Sequence, residues 1–365
     1  SHHTINVLAD AQDYLARLSE VSDVLDDETK RLEDASLKGN LPPRIVVEAT
    51  LEKVKSFRTA TPELSPYSLA LNNGVSKLGV SDSDLSASLS TQVHAIVSEQ
   101  IHPAYDRLIT ALENQLAYAP TSLGLENRSN GVPYYLDVLD FYGAKNTPKA
   151  LHESGLAELG LITANMDAVL ASLEITDGSV IDRLSALPIR ALSATDEDEE
   201  TAEMARPRRI SALVRLMKDR SESIAPPFQD DPGIVVLPNP TANAVAMTYA
   251  PARTLDESAI LFVNYARLET TPDWQLPTLI YAHSIPGRHT LNTTRHASYT
   301  VTLLQRSGSY PALDGGWISY AEDLVDETGS YFDAPAQRLG YLQSRALQAA
   351  RIVADTGVHS QKWSY

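Results

Sequence analysis

At 365 residues with 43% hydrophobic content, the chain is long enough for one large or two ordinary domains and apolar enough for a sizeable core. A formal charge of −17 sets its surface against phosphate backbones and anionic lipid, which disfavours nucleic-acid and membrane partners. The absence of cysteine excludes disulfides and thiolate metal sites, so any zinc would depend on His, Asp or Glu.

No apolar run approaches the roughly 20 residues of a membrane-spanning helix, and the chain reads as soluble, with the cytoplasm favoured. The opening Ser1-His2-His3 is closer to the stub of a purification tag than to a signal peptide. From Ile5 to Leu18 apolar residues recur at helical spacing. Pro42-Pro43 opens a second helix, Arg44 to Phe57, with Ile45, Val46, Ala49, Leu51 and Val54 offered for burial. Leu85 to Leu116 is a long helical stretch in which His102-Pro103 marks a bend or junction, because proline disfavours helix in the residue before it.

Gly124 to Pro133 is rich in turn residues. Thr147-Pro148 then has the form of a helix start, threonine as cap and proline in the first position. The helix after it places Leu156, Leu159, Ile162, Met166 and Leu170 on its apolar side. The acidic run Asp196 to Glu203 reads as a solvated loop or helix face, and Pro226 to Pro240 as loop. Val245 to Tyr249 and Ile260 to Val263 have the β-branched and aromatic content of short strands, enough for a small edge sheet. Pro272 to Ala354 reads as helices joined by a loop near Gly308 to Gly316. The expected fold class is mainly α, and the expected organisation is a single domain over 1–365. Two lobes, about 1–225 and 226–365, would flank a deep cleft.

Three blocks carry a family resemblance: Asn130 to Ile162 (NGVPYYLDVL and TPKALHESGLAELGLI), Leu279 to Asn292 (LIYAHSIPGRHTLN) and Gly315 to Ser364. Together they resemble a bacterial and fungal family of gluzincin-like helical proteins with an HExxPGHHxQ motif and no assigned function. The resemblance runs from about Gly39 to the end, and the family usually continues past the point where this chain stops. It implies a zinc ion held by the motif histidines and by a glutamate of a GWxxYxE segment, with the motif glutamate activating a water.

Aligned on Pro286-Gly287, the motif is altered. Ala282 stands for the first histidine, His283 for the glutamate, and Arg288-His289 for the histidine pair. A shift of one residue would restore a ligand set of His283, His289 and Glu322, but Ser284 would then replace the general base. The third block is better kept. Trp317, Tyr320 and Glu322 match GWxxYxE, and Arg351, Asp355, Thr356, Gly357 and His359 match RxxxDTGxH.

The expected catalytic residues are His283, Arg288, Glu322, Tyr320 and His359. His283 titrates near neutrality and suits acid–base work. Arg288 suits a carboxylate, either of a substrate or of Glu322. A metal-free Glu322 would be paired or raised in pKa, and Tyr320 and His359 could stabilise an oxyanion. Tyr134, Tyr135, Trp317 and Arg351 are the expected substrate-binding residues, with an Arg351–Asp355 ion pair as the alternative role for Arg351. No cofactor is favoured, and zinc on the shifted set is the alternative. The partner expected is a small molecule or short peptide. Three functions follow: a repurposed metal-free acid–base enzyme, a non-catalytic pseudo-peptidase that binds a ligand, and a zinc peptidase or amidase.

Overall fold

The computed structural model describes residues 5–78, 83–187, 202–222, 224–225, 231, 233–239, 245–252, 257–298, 300–308, 310–329 and 332–364. The fold is mainly α with one small sheet. The chain divides into two compact units, residues 1–132 with 362–365, and residues 133–361. Residue 225, where the sequence suggests a lobe boundary, lies inside the second unit.

The first unit contains α1 (Leu8–Ser19), α2 (Val21–Leu37), α3 (Arg44–Thr59), α4 (Pro66–Lys77), α5 (Ser83–Ile96) and α6 (His102–Tyr118). Ala11, Leu15 and Leu18 recur on one face of α1 and are buried with Leu71, Val93 and Val97. On α3 the buried face is Val47 and Leu51, which meet Leu108 and Leu112 of α6. Ile45 and Val46 are exposed, which corrects the burial expected for them, because the face that meets α6 passes through Val47 and Leu51 instead. The junction expected at His102-Pro103 is a π-helical turn, Val97–Ile101, which joins α5 to α6 without a break in the helical backbone.

A seventh helix, α7 (Gly131–Phe141), begins inside the stretch expected to be turns. The second unit continues with α8 (Pro148–Ser172), α9 (Val180–Ala186) and α10 (Ala202–Ser221). Thr147 caps α8 as its sequence suggests, its hydroxyl oxygen accepting from the Ala150 N–H at 3.2 Å. Ile162, Met166 and Leu170 are buried, whereas Leu156 is half exposed. Most of the acidic run from Asp196 lies outside the described residues, and α10 takes up its last two, Ala202 and Glu203.

Three strands follow: β1 (Ile234–Pro238), β2 (Met247–Ala250) and β3 (Ala259–Val263). The order is β1-β3-β2, with β1 parallel to β3 (Ile234 beside Ala259) and β2 antiparallel to it (Met247 beside Val263). β1 lies in the stretch read as loop, whose prolines and aspartates mask the short apolar run Ile234 to Leu237. Met247, Leu261 and Val263 bury the sheet against Ile210 and Met217 of α10 and against Ile280 and Tyr281.

The last helices are α11 (Tyr265–Leu268), α12 (Leu276–His283), α13 (Arg288–Ala297), α14 (Leu303–Ser307), α15 (Pro311–Thr328) and α16 (Pro335–Ser360). α15 runs through Gly315-Gly316, which corrects the loop expected there. The longest packing seam joins α8 to α16. Gly155 makes their close approach feasible, because a Cβ there would lie 2.8 Å from Val353 Cγ2 and 3.2 Å from the Ala349 carbonyl oxygen. Gly155→Val should therefore lower stability by about 1–3 kcal/mol through overpacking, read as a lower urea midpoint with an unchanged slope. An unchanged midpoint would show that the seam has slack.

Candidate functional site

α12, α15 and α16 line a cavity of about 750 Å³ in the second unit, and Arg288 at the start of α13 borders it. The size is that of a small-molecule site. Its walls combine Leu279, Ile318, Leu347 and Ile352 with the polar residues discussed below.

Glu322 is the central acid. It projects from α15, is 2% exposed, and lines the cavity. Ser344 Oγ donates to its Oε1 at 2.8 Å and Gln348 Nε2 donates to its Oε2 at 3.1 Å. Ser319 in turn donates to the Gln348 side-chain oxygen, which fixes that amide. Burial pushes the Glu322 carboxyl up to about 7, against the pull of the Ser344 and Gln348 hydrogen bonds and the Arg345 charge. At neutral pH the group is divided between acid and carboxylate.

His283 ends α12 and also lines the cavity. Its Nδ1 lies 2.9 Å from the Leu279 carbonyl oxygen. A carbonyl only accepts, so Nδ1 carries the hydrogen and Nε2 keeps a lone pair in the neutral ring. Burial, together with the Arg288 charge, holds the His283 pKa below its ordinary value in spite of the Leu279 bond. A neutral imidazole and a half-protonated carboxyl therefore share one cavity.

The segment joining α12 to α13 is tightly fixed. The Ile285–Pro286 peptide bond is cis. The Gly287 N–H donates to the Tyr281 carbonyl at 3.1 Å, and Ser221 Oγ donates to the Ile285 carbonyl at 3.2 Å. Trp317 Nε1 donates to the carbonyls of Pro286 (3.0 Å) and Gly287 (3.1 Å). Trp317 thus positions the turn that presents His283 and Arg288. It is not a wall of the cavity, and its neighbour Tyr320 is 54% exposed.

Among the expected site residues, His283, Arg288, Glu322 and Arg351 come together around the cavity. Tyr135, Asp355 and His359 form a separate cluster one turn beyond Arg351 on α16. There the Tyr135 hydroxyl donates to Asp355, His359 Nε2 lies 3.8 Å from the same carboxylate, and the Tyr135 and His359 rings are 5.3 Å apart. Tyr134 is 59% exposed. Two expected ion pairs are absent among the described residues. Arg288 does not pair with Glu322, whose oxygens are taken by Ser344 and Gln348, and Arg351 does not pair with Asp355, which Tyr135 and His359 engage.

His289 is 2% exposed and both its ring nitrogens are occupied. Nε2 lies 2.8 Å from Asp231 Oδ2, and Nδ1 lies 3.0 Å from the Tyr249 hydroxyl. Burial pushes the Asp231 pKa upward, but the bonds from His289 and the Gly233 N–H outweigh it and keep the group a carboxylate. No three His, Asp or Glu side chains among the described residues are gathered as a metal requires. The shifted set of His283, His289 and Glu322 is therefore not assembled, and the described residues, with both His289 nitrogens engaged by Asp231 and Tyr249, do not fit a zinc ion.

Sequence reasoning missed Ser319, Ser344, Gln348, Asp231 and Tyr249. Only the four-residue interval between Ser344 and Gln348, which puts both on one face of a helix, hinted at a shared partner.

These features define a mainly helical protein with a small mixed sheet and a cavity lined by His283 and Glu322. The family model for a bacterial protein of unknown function (DUF885) matches residues 1–365, and the chain belongs to that family. Its fold is similar to that of a crystallised protein from Colwellia psychrerythraea described as a putative lipoprotein, at 25% identity and a TM-score of 0.87. The similarity covers 99% of this chain and 62% of that one, so the chain spans less than two thirds of its neighbour's length. No curated protein matches the chain. No helix among the described residues is long and apolar enough to cross a membrane.

Proposed function

We propose that the cavity carries out metal-free acid–base chemistry on a small molecule derived from an amino acid or peptide: a cyclisation, elimination or isomerisation. The observation that carries this reading is Glu322, an acid almost wholly removed from water yet facing a cavity, with its pKa near 7. His283 Nε2 would take a proton from the substrate and the Glu322 carboxyl would deliver one. Exchange with solvent resets both groups. The surroundings shift the two groups in opposite directions, which leaves a neutral imidazole beside a carboxyl that keeps its proton, the division into base and acid that such chemistry needs.

The test is turnover of a panel of N-acyl amino acids and dipeptides, followed by mass spectrometry for products of unchanged mass or of mass lower by one water. Glu322→Gln and His283→Ala should each lower turnover by about 100-fold or more. The rate should also bend near the Glu322 pKa of about 7. Full activity in both variants would contradict the reading.

A second reading is a non-catalytic binding protein. It is favoured by the fact that both Glu322 oxygens already accept hydrogen bonds, as in a fixed binding wall. It predicts that a ligand is retained unchanged and that neither substitution alters the chemistry.

A further inference from the structure

The cavity has a direction, which follows from helix register. α15 and α16 run antiparallel along it. Asp326 pairs with Arg338, Glu322 with Ser344 and Gln348, and Ser319 with Gln348, so Gly315 is carried toward Arg351. α12 starts at the opposite end. A Cβ at Gly340 would meet Thr278 Oγ1 at 2.8 Å and Gln275 Cα at 3.1 Å, which fixes the start of α12 against the early part of α16. From there α12 leads through Leu279 and Ala282 to His283. The turn beyond it is held at Trp317, near the start of α15, by the bonds to Pro286 and Gly287. Arg288 therefore enters the cavity at the Gly315 end, the end that Arg351 reaches from α16.

Each end has its own chemistry. At the Gly340 end the lining is neutral, with Thr278 and the amides of Gln275 and Gln343, which bond to each other. Glu322 sits between the ends. At the Gly315 end are two guanidinium groups that have no ion pair with any described residue. Guanidinium groups stay charged and bind carboxylate or phosphate oxygens through paired N–H donors. Gly315 precedes Glu322 by seven residues on α15, a helical rise of about 10 Å.

We propose that Arg288 and Arg351 form an anion subsite at the Gly315 end of the cavity. It takes the terminal carboxylate or phosphate of an elongated small molecule and places a position about six to eight bonds away beside Glu322. The inference rests on reading this cavity as the functional site, and it excludes a free α-amino acid as the ligand, since that is too short to span the two groups.

The test is titration calorimetry with hexanoate, hexyl phosphate and the neutral hexanamide on the wild type, Arg288→Gln, Arg351→Gln, the double variant and Glu322→Gln. In the wild type at least one anion should bind ten-fold or more tightly than hexanamide. Whichever anion is preferred identifies the terminal group. Each single arginine variant should lose part of this preference, and the double variant should lose all of it. Glu322→Gln should keep it, which separates this subsite from the proton-transfer role, itself tested by turnover. Equal binding of anions and amide, no binding of any probe, or a preference that survives loss of both arginines would overturn the proposal.

Discussion

Gly287→Ala is expected to cost about 4 kcal/mol or more, a large part of the stability of an ordinary domain. The added Cβ would lie 2.1 Å from the Ala282 carbonyl oxygen and 2.4 Å from that of Tyr281. Both are backbone atoms of α12 and cannot rotate aside. Relief requires the turn to open, which breaks the Gly287 N–H bond to Tyr281 and moves the carbonyl that Trp317 holds. Each buried polar group then left without a partner adds about 1–3 kcal/mol. Urea unfolding of the variant checks this. A loss below about 1 kcal/mol would mean that the turn deforms easily and that its fixed geometry does not position His283 and Arg288.

Glu322→Gln should raise stability at alkaline pH relative to pH 4. Below about pH 4.5 the carboxyl is protonated in the folded and unfolded chains alike, and it contributes nothing to the pH dependence. Between there and about pH 7 the unfolded chain ionises while the folded chain holds its proton, so the native state loses stability as pH rises, and the loss is complete above 7. A shift from 4.5 to about 7 corresponds to about 3 kcal/mol at 1.36 kcal/mol per pKa unit. Glutamine cannot ionise and escapes this cost. Its amide can be accommodated if the Gln348 amide turns over and Ser319 becomes its acceptor. The stability difference between variant and wild type should therefore shift by about 3 kcal/mol in favour of the variant from pH 4 to pH 8. A difference that stays constant with pH would show that Glu322 is an ordinary carboxylate in the folded state.

Much of the helical frame was legible because helices announce themselves locally. Thr147-Pro148 marked the start of α8, and the spacing of Ala11, Leu15 and Leu18 marked the buried face of α1. The sheet was half legible. β2 and β3 stand in stretches whose β-branched and aromatic residues read as strands, whereas the run Ile234-Val235-Val236 of β1 sits among prolines and aspartates that read as loop, and it pairs in parallel with β3.

The site divided in the same way. His283, Arg288 and Glu322 stood out because they fall on an altered motif. Their partners Ser344, Gln348 and Ser319 are ordinary helix residues, and they matter only because α15 and α16 pack antiparallel in one register. The expected ion pairs of Arg288 and Arg351 failed for a similar reason. Sequence spacing shows which charges are near along one helix, but not which neutral donors from another helix reach the carboxylate first.

The most direct test of the account is the titration of Glu322 itself, followed by carbon NMR of protein labelled at the glutamate side-chain carboxyl and assigned by loss of the signal in Glu322→Gln. The account predicts a midpoint near 7. A midpoint near the ordinary glutamate value of about 4.3 would contradict it, because the cavity would then hold a permanent carboxylate with no proton to give at neutral pH.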